Sequence, residues 1–166
     1  MDQLSGYDVR TVLGGDHRQR SVLNGLKLVE TSKVVVHDAA RPFATPEMVA
    51  SVLGSLEGAH GAAVAVPVAD TLKEVRDGRV IRTVERSSLW AVQTPQAFHT
   101  EALKTVHDKA RVDGFLATDD AQLVERYGGT VRIVEGSSNN LKLTYQEDWR
   151  LAEAMIAASR AGDPNR

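Results

Sequence analysis

Lys33-Val34-Val35-Val36-His37-Asp38-Ala39-Ala40-Arg41-Pro42, with Thr45-Pro46-Glu47 close behind, is the stretch on which the fold turns. Lys33 to His37 is a short β-branched run ending at Asp38, the pattern of a strand buried on both faces. Thr45 reads as a helix cap, and Pro46 suits the first helical position, where no N–H is needed. The helix carries Met48, Val49, Val52, Leu53 and Leu56, and Gly58 and Gly61 end it. Ala62 to Val66 is a second buried-type strand, stopped by Pro67. Strand, helix and strand in this order imply an α/β domain with a mostly parallel sheet and helices on both faces.

Upstream, Val12-Leu13 reads as a strand end and Gly14-Gly15-Asp16 as a loop. Ser21 then caps a helix to about Val29, with Val22, Leu23, Leu26 and Val29 on one face. Downstream, Thr71 to Val75 and Val80 to Val84 alternate around Asp77-Gly78, a hairpin signal that interrupts the strand–helix alternation. Leu89 to Gln93 is strand-like, and Thr100 starts a helix to about Ala110. Thr118 or Asp119 caps another to about Arg126. Thr130 to Val134 and Leu141 to Leu143 read as strands, and Tyr145 to about Ser159 as the closing helix. There is no repeat and no low-complexity linker. The organisation is one domain over 1–160, with an arm at about 71–84 and a flexible tail at 161–166.

Composition narrows the function. Hydrophobic residues make up 42% of the 166-residue chain, enough for a core, and the net charge of −2 gives no broad basic field for nucleic acid. There is no cysteine, which removes disulfides, thiolate nucleophiles and cysteine zinc sites. The apolar runs fall far short of the ~20 residues of a membrane helix. Met1 to Gly6 has neither the basic nor the apolar part of a signal peptide, so a cytoplasmic protein is expected.

In open α/β sheets, ligands bind beyond the carboxyl ends of strands. Four segments are placed there: Gly14-Gly15-Asp16, Asp38-Ala39-Ala40-Arg41-Pro42, Thr94-Pro95-Gln96 and Gly136 to Lys142. The glycines let a ligand approach the backbone, and Asp16 can accept from an exocyclic amine such as N4 of cytosine. The plainer reading is an ordinary loop with Ser21 as cap. Asp38 can hold Mg²⁺ or accept from substrate hydroxyls, and Arg41 offers a fork for phosphate. The plainer reading is an Asp–Arg pair that braces its own loop. Lys142, between two leucines, can present a point charge to a phosphate or guard a sheet edge. Asp70, Lys73, Glu85 and Arg86 can be plain surface pairs, and His37 a structural histidine.

Taken together, six segments resemble the methylerythritol phosphate cytidylyltransferases in order and spacing. They are Gly14-Gly15-Asp16 with Arg18 and Ser21-Val22, His37 to Pro42, Asp70-Thr71-Leu72-Lys73, Thr94-Pro95-Gln96, Thr118-Asp119, and Asn140 to Thr144. The resemblance runs from Val12 to Ala158. It implies a Rossmann-like nucleotidyltransferase sheet whose hairpin arm interlocks two chains. It also implies transfer of CMP from CTP to 2-C-methyl-D-erythritol 4-phosphate with release of diphosphate, in the non-mevalonate route to isoprenoids.

By the same resemblance, Gly15, Asp16 and Ser21 read the cytosine and Ala39 lies beside the ribose. Asp38, Arg41, Thr94 and Thr118 hold the polyol phosphate. Lys142 approaches both phosphates. Arg86 and Thr71 reach the partner's site across a homodimer, and Arg86 with Lys142 orients the attacking phosphate. Mg²⁺ sits mainly on the CTP phosphates. The family also carries a strand and a glycine-rich, cation-bearing loop ahead of the segment matching Gly14. Nothing before Gly14 here resembles it, so the chain reads as N-terminally truncated. Two rivals stay open: a ribitol 5-phosphate cytidylyltransferase, and a non-catalytic module that dimerises and binds ligand.

Overall fold

The computed structural model describes residues 9–161; the readings of Met1 to Gly6 and of the tail beyond Ala161 lie outside them. The elements in chain order are α1 (Arg18–Leu26), β1 (Lys33–Val36), α2 (Pro46–Gly54), β2 (Gly61–Pro67), β3 (Lys73–Arg76) and β4 (Arg79–Thr83). They continue with β5 (Trp90–His99), α3 (Thr100–Asp113), α4 (Asp120–Arg126), β6 (Val131–Glu135) and α5 (Gln146–Ala161).

The main sheet has the order β1-β5-β2-β6. β1, β2 and β6 share one direction, which is the mostly parallel set implied by the sequence. β5 runs against them and separates β1 from β2, so only β2 and β6 pair as parallel neighbours. Helices cover both faces. Val52 and Leu56 pack on Ala62, Val64 and Ala97 on one side, while Leu26, Phe98, Leu103 and Val124 cluster on the other. Residues 62, 64 and 97 facing away from 98 is the period-two alternation of strands. Each fully buried aliphatic or aromatic side chain contributes about 1.5–3 kcal/mol. β2 is built of small residues, and Gly61 must be one: a Cβ there would lie 2.7 Å from the Phe98 ring.

Thr45 and Pro46 cap and open α2 as the sequence predicts, with the Thr45 hydroxyl accepting the Met48 N–H. Asp77 and Gly78 both have positive φ, 49° and 74°, as a two-residue hairpin turn between β3 and β4 requires. The hairpin forms its own two-stranded sheet and leaves Val75, Val80 and Ile81 exposed.

Several boundaries differ from the sequence reading. Val12-Leu13 is not strand. Ser21 is not the cap of α1; His17 is, through its Nδ1 accepting the Arg20 N–H. A ring nitrogen in that role has no place among the usual capping side chains. The Leu89–Gln93 segment extends to His99, so Thr94-Pro95-Gln96 lies inside β5 rather than after it. A register shift opposite Ala63 and Ala65 opens the ladder there, which lets a proline without an N–H stand in a central strand. Leu141 to Leu143 is not a strand either; Leu143 N–H donates to the Ala40 carbonyl at 2.8 Å and tethers the two site loops directly.

Candidate active site

The loops after β1 and β6 leave the same end of the sheet, since those strands share a direction. Thr94 of β5 lies between them. Its hydroxyl accepts the Asp38 N–H at 3.0 Å and sits 2.9 Å from His37 Nδ1. His37 Nε2 is 3.0 Å from the Arg41 carbonyl. One tautomer satisfies all three contacts: Nε2–H donates to the carbonyl, and Nδ1 accepts from the threonine hydroxyl. His37 is therefore a brace for the Asp38–Arg41 turn, the structural role the plainer reading gives it.

Asn140 does the same work for the second loop. It is fully buried, and its amide donates to Gln93 Oε1 at 3.1 Å and to the Thr94 carbonyl at 2.9 Å. Gln93 in turn donates to the Ser137 carbonyl. Arg41 Nη1 donates to the Asn140 carbonyl at 2.8 Å, so part of the guanidinium is spent on the scaffold. Its Nε is buried without a partner.

These braces bring Lys142 to Asp38. Nζ donates to Oδ2 at 2.8 Å. The other carboxylate oxygen faces Arg18, whose Nε is 4.0 Å away. Partial burial opposes ionisation of Asp38. The Lys142 hydrogen bond and the charges of Lys142, Arg18 and Arg41 outweigh it and hold the carboxyl below its ordinary value. Partial burial also lowers Arg41, against the pull of Asp38.

The remaining predicted residues stand apart from this cluster. Ser21 accepts the Gly15 N–H at 2.9 Å, which fixes the glycine loop against α1. Asp16 keeps 83% of its side chain exposed, with His17 3.5 Å away. It borders a cavity of about 370 Å³ walled by Gln19, Leu23, Phe115 and Leu116. Ala39 is exposed beside Asp38. Thr118 is exposed, and both its N–H and its hydroxyl turn to Gln122. Thr71 and Arg86 are exposed at the base of the hairpin, without a side-chain hydrogen bond to the Asp38 cluster. Among the described residues no three His, Cys, Asp or Glu side chains gather as a metal site. Asp38, the one carboxylate proposed for Mg²⁺, is taken up by Lys142. Among the described residues, the side chains thus do not by themselves build a magnesium site.

Sequence reasoning passes over the pair that anchors Arg18. Asp120, fully buried at the start of α4, lies 2.8 Å from Arg18 Nη2, and its other oxygen is 2.8 Å from Nε2 of the buried His107. The doublet Asp119-Asp120 is the only signal. Asp119 is the cap, accepting from Gln122 N–H and Gln96 Nε2. A second carboxylate directly behind a cap has no capping use.

The family model described as 2-C-methyl-D-erythritol 4-phosphate cytidylyltransferase matches residues 1–158. The chain belongs to this family. A cytidylyltransferase of that name from Bacillus velezensis is 51% identical over 153 residues, covering 91% of this chain and 66% of the relative. One from Aquifex aeolicus is 48% identical, covering 89% and 69%. The crystal structure of the Thermus thermophilus cytidylyltransferase superposes with a TM-score of 0.83 at 40% identity, covering 88% of this chain and 72% of that one. The 4-diphosphocytidyl-2C-methyl-D-erythritol synthase of Anaerococcus prevotii gives 0.86 at 33% identity, covering 94% and 74%. The fold is therefore that of the methylerythritol phosphate cytidylyltransferases. The chain spans about two thirds of the length of these curated relatives.

Proposed function

We propose that this chain carries the polyol-phosphate side of a cytidylyltransferase site, transferring CMP from CTP to 2-C-methyl-D-erythritol 4-phosphate. The observation that carries the reading is the Asp38–Lys142 pair, braced by Thr94, His37 and Asn140 and flanked by Arg41 and Arg18. Relatives named for methylerythritol phosphate, at 45–51% identity, favour that acceptor over ribitol phosphate.

An oxygen of the polyol phosphate attacks the α-phosphorus of CTP. A new P–O bond forms, the bond to the β-phosphate breaks, and diphosphate leaves; the product is 4-diphosphocytidyl-2-C-methyl-D-erythritol. No side chain becomes covalently attached, so the protein's task is positioning and charge placement. Lys142 exchanges its contact with Asp38 for a contact with phosphate oxygen, and Asp38 then accepts from polyol hydroxyls. Asp16, with Gly15 and Ser21, reads the N4 amine of cytosine, and Ala39 leaves room for the ribose. Arg41, Thr94 and Thr118 complete the acceptor site. Mg²⁺ belongs to the nucleotide in this reading, offsetting charge on the triphosphate.

Arg86 and Thr71 serve the site of a second copy. Exposed Val75, Val80 and Ile81 on a free-standing hairpin support such an interlocked homodimer. The protein works in the cytoplasm, where CTP is made; no helix among the described residues is long and apolar enough to cross a membrane.

Phosphorus NMR of the chain with CTP, Mg²⁺ and either methylerythritol phosphate or ribitol 5-phosphate tests this reading. Diphosphate and a new CDP-polyol from the first acceptor are expected. Turnover of ribitol phosphate alone would reassign the acceptor, and binding of both substrates without transfer would leave a ligand-binding module.

A further inference from the structure

Arg18 opens α1 with its guanidinium anchored on one side. Nη2 lies 2.8 Å from Asp120 Oδ2, yet that oxygen has no aligned hydrogen bond, so the contact is an ion pair rather than a locked fork. Asp120 is fully buried, and its Oδ1 is 2.8 Å from Nε2 of His107, which is buried as well. A carboxylate taken this far out of water needs a cation, and among the described residues Arg18 is the always-charged group paired with it. On its other side Arg18 faces the cluster, with Nε 4.0 Å from Asp38 Oδ1, beyond hydrogen-bond reach. The side chain keeps 36% exposure, and among the described residues no hydrogen bond uses its remaining donors.

The arrangement is a buried acid holding the back of a guanidinium whose front is open. Along the front run Arg18, Asp38 and Lys142, cation, anion and cation, the last two in contact at 2.8 Å. A tetrahedral phosphate that draws Lys142 away from Asp38 comes within range of Arg18. The guanidinium donors not turned to Asp120 are then available to it.

We propose that Arg18 contacts substrate phosphate in this site, and that Asp120, backed by His107, is the positioning residue that aims it. The inference rests on the reading of the Asp38–Lys142 pair as a phosphate site. The phosphate has two possible sources, the nucleotide and the polyol phosphate, and they share the same oxyanion chemistry.

Calorimetric titration of the chain with CTP and, separately, with 2-C-methyl-D-erythritol 4-phosphate tests it. Arg18→Ala should weaken the probe whose phosphate it touches by roughly tenfold to a hundredfold and leave the other within about twofold. Asp120→Asn should weaken the same probe by a smaller factor. In the double variant the Asp120 effect should vanish, because it acts only through Arg18. Additive losses, or equal losses for both probes, would make Asp120 a plain stability residue and overturn the positioning role. Unchanged binding in Arg18→Ala would overturn the phosphate contact. Arg18→Ala leaves Asp120 without its cation, so Arg18→Lys, which keeps the charge and loses the fork, is measured beside it with a melting curve for each. A folded Arg18→Lys with wild-type affinity for both probes also overturns the proposal. Wild-type chain that binds neither probe overturns the phosphate-site reading itself, an outcome distinct from a variant effect.

Discussion

Lys142 Nζ and Asp38 Oδ2 meet at 2.8 Å across 104 residues of chain. Neither loop could hold that geometry by itself. Thr94 fixes the backbone under Asp38, and Asn140, two residues before Lys142, is tied to Gln93 and to the Thr94 carbonyl. The Asp38–Lys142 pair thus depends on β5, which contributes no charge to it.

The pair sets a pH dependence. Asp38 is held below its ordinary value when folded, so its contribution is fully present above the unfolded carboxylate value of about 3.9. It is lost as pH falls through the lower folded value. The melting-temperature gap between wild type and Asp38→Asn should stay constant from about pH 7 to pH 5 and close below about pH 4. A gap that widens on acidification would contradict the assignment.

Asn140→Ala removes both donors to Gln93 Oε1 and the Thr94 carbonyl at a buried position. A loss of about 1–3 kcal/mol is expected in urea denaturation, since buried acceptors are left unpaired. Polyol-phosphate binding should fall as well, because a loop freed from Gln93 and Thr94 no longer holds in place the backbone carbonyl to which Arg41 donates. Full stability in the variant would mean that the loop after β6 holds itself.

Asp16→Ala should narrow the preference for CTP over UTP by ~1–3 kcal/mol, as expected of a lost acceptor for the N4 amine. Titration of both nucleotides against the variant measures it. An unchanged preference would move base reading away from Asp16.

The hairpin should carry the dimer. Val80→Glu with Ile81→Glu places charge on the two most exposed apolar positions of β4 and should give a monomer by sedimentation. Mixing Arg86→Ala with Lys142→Ala then asks whether Arg86 acts across chains. Partial recovery of acceptor turnover in the mixture is expected, because one site of each heterodimer regains both groups. No recovery after confirmed subunit exchange would confine Arg86 to its own chain.

Much of this architecture can be read in the sequence, for local reasons. Thr45-Pro46 and Asp77-Gly78 specify their cap and turn through their own backbone preferences, and the structure places both as read. The Asp38 and Lys142 loops are likewise legible, because strand ends locate them. What escapes is set by distant partners. Thr94-Pro95-Gln96 carries a proline and looks like a loop; only the opened ladder opposite Ala63 and Ala65 makes it strand. His17 is the cap rather than Ser21 because the helix begins at Arg18, which leaves Ser21 inside it with its N–H already bonded to the His17 carbonyl. His107 and Asp120 are thirteen residues apart on different helices, and no spacing rule joins them.

The position of β5 also governs the order in which this sheet can come into being. β1 begins at Lys33 and β2 at Gly61, but the partners of those residues are His99 and Phe98. Among the described residues neither strand has a partner in what precedes it, and the ladders of both to β5 wait for a segment made tens of residues later. Such non-local pairing slows folding and leaves apolar strand edges open meanwhile. The alanine-rich character of β2 acquires a second meaning in that interval. Gly61-Ala62-Ala63 offers little apolar surface to a passing neighbour, and Gly61 later leaves the space that the Phe98 ring fills.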